Sequence, residues 1–178
     1  VGVINADSGL FFPDFRAGER VFQLIYQVAG RAGRRDKPGQ AIIQTYNPDD
    51  IYIQTAAALN TKKFYNVALA QRQELSYPPF SRIGRILFTG KNKLIVDDFA
   101  QRVGRKLQGN SNYQILGPAA APIEKIKGNW RAHLIIKSKS RNISSLHQFI
   151  HSTIGFIIFE RKWKGVRILI DVDPVSML

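Results

Sequence analysis

The chain contains no cysteine. That excludes a disulfide framework and any cysteine-ligated zinc site within this stretch, and it leaves the redox compartment open. Long apolar runs are missing too. The most hydrophobic segments, around Ile154 to Phe159 and Val166 to Val172, fall well short of the roughly 18 residues needed to span a bilayer, so a soluble chain with no membrane partner is expected. Acidic side chains are scarce, 13 Asp and Glu against 26 Lys and Arg, and the formal net charge is +13. A surplus of that size favours a polyanionic partner, either nucleic acid or an acidic surface. There is also no initiator methionine: Val1-Gly2-Val3-Ile4-Asn5 reads as the start of a buried strand, as in a piece of a longer protein.

What remains is 178 residues with 44% apolar content, enough for one large domain or two small ones. Residues 1 to 6 read as a strand, and Val21, Phe22, Leu24, Ile25 and Val28 recur at helical spacing. Ala41 to Tyr46 reads as a second strand, Pro48-Asp49-Asp50 as a helix start, and Asn60-Thr61 as the cap of a helix reaching about Leu75. Strand, helix, strand, helix describes an α/β lobe. Tyr77-Pro78-Pro79-Phe80 stops that pattern and sets a domain boundary, giving residues 1–76 and 77–178.

Beyond the boundary the pattern predicts strand (Ile83 to Thr89), helix (Leu94 to Leu107), strand (Gln114 to Leu116, with an extended piece from Ile123), strand (Ala132 to Ser138), helix (Ile143 to Ile158) and strand (Val166 to Val172). That βαββαβ order implies a split-βαβ, ferredoxin-like α+β domain. In the first helix of this domain, Leu94 to Leu107, Val96, Phe99, Val103 and Leu107 form a core stripe and leave Arg102, Arg105 and Lys106 outside. Charge divides near the same boundary. Residues 1–77 carry 9 basic and 7 acidic side chains, and residues 78–178 carry 17 and 6, so nearly all the excess lies in the second domain.

The sharpest motif is Gln27-Val28-Ala29-Gly30-Arg31-Ala32-Gly33-Arg34 at a helix end. Arg31 and Arg34 can present planar cationic forks to one phosphate, and Gly30 and Gly33 let backbone approach a nucleotide closely. Such a pair suits the arginine-finger role, stabilising charge on a transferring γ-phosphoryl, with the Gln27 amide able to sense the nucleotide or the attacking water. A plainer reading is a basic helix C-terminus whose arginines offset the macrodipole.

The QxxGRxGR string resembles motif VI of superfamily-two helicases. Its surroundings narrow the likeness: Asp14-Phe15-Arg16-Ala17-Gly18-Glu19-Arg20, Pro38-Gly39, Ile43-Gln44-Thr45, Tyr77-Pro78-Pro79-Phe80, Leu116-Gly117-Pro118 and Asp171-Val172-Asp173-Pro174. Together these look like the C-terminal part of the primosomal protein N′ family of bacterial replication-restart helicases. The resemblance implies a cytoplasmic, ATP-driven 3′-to-5′ DNA helicase in which residues 1–76 end the second RecA-like motor lobe and supply Gln27, Arg31 and Arg34 as catalytic residues. It further implies Mg with the ATP, zinc held by cysteines upstream, and as partners single-stranded and forked DNA, the single-stranded-DNA-binding protein and helicase-loading primosome proteins. No G-x-x-x-x-G-K-[ST] string is present, since Arg85 stands where the first glycine belongs before Gly90-Lys91 and Asn92 follows. The acidic helicase box is missing as well, so the chain alone is expected to hydrolyse no ATP and to hold no cofactor.

In the basic domain, Lys125, Lys127, Trp130 and Arg131 surround Gly128-Asn129, which reads as a hairpin tip able to touch phosphates and stack on an unpaired base. Arg161, Lys162, Trp163 and Lys164 repeat that composition and are expected to act alike. Lys137, Lys139 and Arg141 precede a helix start, and Lys139 and Arg141 are candidates for docking the acidic tail of the single-stranded-DNA-binding protein that the resemblance implies. His147 and His151, four apart, read as packing or solvent-facing histidines and not as metal ligands. Asp171 and Asp173 read as strand-end carboxylates serving backbone donors, in preference to a catalytic pair. The competing functional reading is a non-catalytic nucleic-acid or scaffold module, because small ribosomal-subunit proteins use a comparable βαββαβ plan.

Overall fold

The computed structural model describes residues 1–32, 40–155, 157 and 163–177. They form two compact units, Val1–Gln71 and Arg72–Leu178, each with its own buried apolar cluster. Helices and strands occur in both, a mixed α and β architecture.

In the first unit β1 (Gly2–Val3) pairs in parallel with β2 (Ile42–Ile43). Both strands are shorter than the residues 1–6 and 41–46 expected from the apolar pattern. The cause is one carboxylate. After Val3 the chain turns at Asn5 into a short 3-10 turn, Ala6–Gly9, which buries Asp7. Asp7 then accepts from Thr45 Oγ1 (2.8 Å), Tyr46 N (2.8 Å), Asn47 N (3.2 Å) and Asn47 Nδ2 (2.8 Å), so the segment after β2 bonds to a side chain and not to a strand ladder. Burial pushes the Asp7 carboxyl up, but the hydrogen bonds from Tyr46, Asn47 and Thr45 outweigh it and hold the group below the ordinary carboxylate value.

Helix α1 (Ala17–Ala32) begins over Asp14, whose carboxylate is buried, accepts from Arg16 N at 3.0 Å and pairs with Arg20 Nη2 at 2.8 Å. Val21, Phe22 and Ile25 bury one stripe of this helix against Val3, Ile53, Ala56, Phe64 and Ala68. Leu24, expected in that stripe, sits at its margin and is 51% exposed. Helix α2 (Ile51–Ala57) is capped by Asp50, which accepts from Tyr52 N and Ile53 N. Asn60 caps α3 (Thr61–Glu74) by accepting from Lys63 N, and Phe64 of that helix stacks on Phe22 at 3.7 Å between ring centroids.

The second unit runs β3 (Arg82–Gly90), α4 (Lys93–Leu107), β4 (Tyr113–Ile126), β5 (Asn129–Ser138), α5 (Ile143–Ile154) and β6 (Arg167–Val172). This is the βαββαβ order anticipated from the sequence. The sheet order is β4-β5-β3-β6 with every neighbouring pair antiparallel. Ile86, Phe88, Ala132, Leu134 and Ile136 point to one side of the sheet and pack with Val96, Phe99, Val103 and Leu107 of α4 and Leu146, Ile150 and Ile154 of α5. Helix α5 was expected to reach Ile158, a residue outside the described set.

Two local features differ from the sequence expectation. The short strand at Gln114 to Leu116 and the piece from Ile123 are one strand with two irregularities, between Leu116 and Ala119 and between Ala120 and Lys125; in the second, a bulge, residues 121–124 of β4 lie opposite Arg131 alone. Arg131 Nη1 closes the bulge by donating to the Ile123 carbonyl at 3.0 Å. The second difference is Trp163. It does not form a loop-tip platform like Trp130: it is 4% exposed and stacks on Phe99 at 4.6 Å, because burying so large an apolar surface in the core outweighs leaving it on a charged loop. Arg161 and Lys162 lie outside the described residues.

Candidate nucleotide and nucleic-acid sites

The first candidate is the end of α1. Gln27, Gly30 and Arg31 are related by three and four residues, so they share one helical face, and all three are exposed. The helix passes through Gly30 and continues to Ala32, so this glycine does not terminate it. Gly33 and Arg34, with Pro38-Gly39 after them, lie outside the described residues. Arg31 sits in the last turn, where a cation offsets the helix dipole, so both readings of the motif keep a use for it.

Gly30 separates those readings. A Cβ built at Gly30 meets no atom within 4 Å, so no packing among the described residues requires a glycine there. A mid-helix glycine costs about 0.5–1 kcal/mol relative to alanine. Gly30→Ala should therefore stabilise the isolated chain by up to about 1 kcal/mol in urea titration, and should lower ATP turnover in a full-length protein. Unchanged turnover would return the motif to the dipole reading.

The second candidate is the β4–β5 hairpin. Lys125 pairs with Trp130 and Ile126 with Asn129, which makes Lys127-Gly128 the two-residue turn. Both have positive φ, 47° and 77°, the backbone of a type I′ turn. Strand alternation then puts Trp130 and Arg131 on opposite faces. Lys125 Nζ lies 4.4 Å and Lys93 Nζ 5.3 Å from the Trp130 ring centroid, so the partly buried indole is ringed by ammonium groups.

Two lysines at this tip escaped the sequence reading. Gly90 pairs with Trp130, and that register carries Lys91 and Lys93 to the hairpin from more than thirty residues upstream. A Cβ on Gly128 would stand 3.5 Å from Lys91 Nζ. Lys93 is partly neutralised by Glu124 (2.8 Å) and Asp97 (3.2 Å), and those hydrogen bonds hold its ammonium above the usual lysine value. Only the strand pairing could have revealed the cluster, because charge along the chain does not separate these lysines from any others.

Arg131 belongs to the other face of the sheet, with Arg85 and His133. Burial, followed by repulsion from Arg85, pulls the Arg131 guanidinium below its ordinary value, and burial with Arg85 and Arg131 pulls His133 down likewise. Arg131 therefore braces the bulge, while Lys125, Lys127 and Trp130 form the tip. Lys139 and Arg141 are exposed, and the Arg141 carbonyl accepts from Arg82 Nε at 2.9 Å. Lys137, grouped with them by sequence, is buried.

The remaining candidates are structural in their surroundings. Asp173 accepts from Ile83 N (3.1 Å) and Arg82 Nη1 (2.6 Å), and Asp171 lies 3.6 Å from Arg85 Nη2. The rings of His147 and His151 are 4.1 Å apart, and among the described residues no group of three or more His, Asp or Glu is placed to hold a metal ion. No helix among those residues is long and apolar enough to cross a membrane.

Residues 73–175 match the family of primosomal protein N C-terminal domains. The chain is 37% identical to the replication restart protein PriA of Bacillus subtilis (strain 168), over 100% of this chain and 22% of that protein. It is 38% identical to that of Treponema pallidum (strain Nichols), over 100% of the chain and 27% of the relative, and 37% identical to that of Chlamydia trachomatis serovar D, over 98% and 23%. It thus spans about a quarter of the length of the curated relatives it matches. With a family match over more than half its residues and similarity along its whole length, the chain belongs to the PriA family and carries that family's C-terminal domain.

Proposed function

We propose that this chain is the C-terminal portion of an ATP-dependent 3′-to-5′ DNA helicase acting in replication restart and primosome assembly, catalytically incomplete by itself. The observation that carries the reading is similarity to proteins named for replication restart along the entire chain, the Gln27–Arg34 string included. On this reading the first unit ends a RecA-like motor lobe, residues 1–76, and residues 77–178 form a DNA- and partner-binding domain. The parallel pairing of β1 with β2 across a helix supports the lobe assignment, since a two-stranded sheet is marginal alone and a parallel pair needs such a crossover.

Arg31 and Arg34 would reach the γ-phosphoryl of Mg-bound ATP held by another lobe, and their guanidinium forks would stabilise the charge that develops there. Gln27, on the same helical face as Arg31, would orient the attacking water. Zinc would belong to cysteines elsewhere in the protein. In the second domain Lys125, Lys127 and Trp130, joined by Lys91 and Lys93, would bind single-stranded or forked DNA. Lys139 and Arg141 would meet acidic protein partners such as the single-stranded-DNA-binding protein and primosome components. A cytoplasmic setting follows from such partners.

Salt tests the DNA half of this reading. The 178-residue chain should bind single-stranded DNA with little sequence preference, and log affinity should fall linearly with log salt as counterions are released. Lys125→Ala should lower affinity and flatten that slope by about one. An affinity indifferent to salt would assign the surplus charge to protein partners, the scaffold reading.

A further inference from the structure

A cavity of about 480 Å³ opens in the second unit where the ends of β4 and β5 meet the segment before β3. Its wall includes Ser76, Ser111, Gln114, Lys137, Ser138 and Lys139, and no acidic side chain is among the described lining residues. Of the residues given a role above, Lys139, proposed to meet acidic protein partners, is the one that belongs to this wall.

Lys137 is the informative member. It is 9% exposed, its ammonium donates to the Leu75 carbonyl at 2.9 Å, and it lies 3.8 Å from the centroid of the Tyr77 ring. No carboxylate is among its described contacts. A buried ammonium served by one carbonyl and one ring face keeps its charge uncompensated, which is costly in a low-dielectric setting. Burial accordingly pulls this lysine below its ordinary value. Lys139 adds a second ammonium two residues on. Gln114 lies directly across the strand pair from Lys137 and so shares its face of the sheet.

The described lining therefore carries two cations and no anion around a volume of ligand size. The kind of donor narrows the anion. A planar carboxylate is matched best by the fork of a guanidinium, and no arginine lines this wall. A tetrahedral phosphate, with several acceptor oxygens and up to two charges, suits two point-like ammonium groups set among hydroxyls and an amide. We propose that the cavity between Lys137, Lys139, Ser138 and Gln114 is a phosphate-binding site, taking either a free or terminal phosphate or an internal phosphodiester of a nucleic acid strand. The site is independent of the motor reading of the first unit and of the hairpin tip.

The test uses the 178-residue chain and amide NMR titration with inorganic phosphate, followed by a 5′-phosphorylated and a 5′-hydroxyl trinucleotide. Phosphate should give saturable shifts at Gln114, Ser138 and Lys139, and Lys139→Ala and Lys137→Met should each weaken binding about fivefold or more. Lys139 is exposed, so its variant decides the matter if Lys137→Met fails to fold. Preference for the 5′-phosphorylated strand assigns a terminal group, and equal binding that phosphate displaces assigns a phosphodiester; either result supports the site. Absence of saturable shifts at these residues, or tighter occupation of them by acetate or an acidic peptide than by phosphate, overturns it.

Discussion

Arg34→Ala in a full-length PriA-family protein containing this chain is expected to lower DNA-stimulated ATP turnover by about 10³-fold or more, the scale of losing an arginine finger. Arg31→Ala should act in the same direction. The expectation rests on the Gln27–Arg34 string and on the shared exposed face of Gln27, Gly30 and Arg31. The Arg31 variant should retain its fold, because Arg31 is exposed. The wild-type 178-residue chain alone should show no turnover, since it contains no phosphate-cradling loop. Steady-state ATPase with saturating single-stranded DNA measures all of these. A full-length Arg34→Ala protein with ordinary turnover would remove the arginine from catalysis and leave it to the helix dipole.

The two tryptophans should respond in opposite ways. Trp163→Ala empties a fully packed place against Phe99 in the core of a unit of roughly one hundred residues, and is expected to cost about 3–5 kcal/mol in urea unfolding. Against a domain stability of about 5–15 kcal/mol this leaves little margin. Trp130→Ala removes a partly exposed ring at a hairpin tip. It should leave unfolding nearly unchanged and weaken single-stranded DNA binding by about 1 kcal/mol or more, the range of base stacking. Equal destabilisation by both substitutions would make Trp130 a packing residue and take base stacking out of the DNA reading.

Those tryptophans also show how far the sequence could be read. Each lies among Lys and Arg beside a glycine, so composition gives them one role. Only the three-dimensional neighbours, Phe99 for one and Lys125 with Lys93 for the other, divide them. The βαββαβ order was legible because it rests on local periodicity and caps: the stripe through Val96, Phe99, Val103 and Leu107 is buried as its spacing predicts. The lengths of β1 and β2 were not legible, because they depend on Asp7 reaching residues 38 to 40 positions away. The same holds for the lysines at the tip. Lys91 and Lys93 join Lys125 through strand register, a long-range property that spacing along the chain does not encode.

Part of the helicase-like wording of the sequence also turned out to be architecture. Within Asp14-Phe15-Arg16-Ala17-Gly18-Glu19-Arg20, the aspartate is buried and bound to Arg20 and to the backbone of Arg16, at the point where α1 begins. Gly18 is occupied in packing as well, because a Cβ there would stand 2.4 Å from the Tyr52 ring. A family string can thus record how a helix is launched as well as what the helix presents.

At the hairpin tip the indole already has cations for company. A nucleobase stacking on that ring, as proposed, would compete with the ammonium groups beside it. The phosphates of the same strand would offer those groups a partner. On the proposed DNA reading, phosphate capture and base stacking at Trp130 would be halves of one exchange. On that reading stacking there would be a conditional contact, strengthening where the backbone charge of the strand is strongly felt and fading where salt masks it, so a strand with an uncharged backbone would compete less well for the ring.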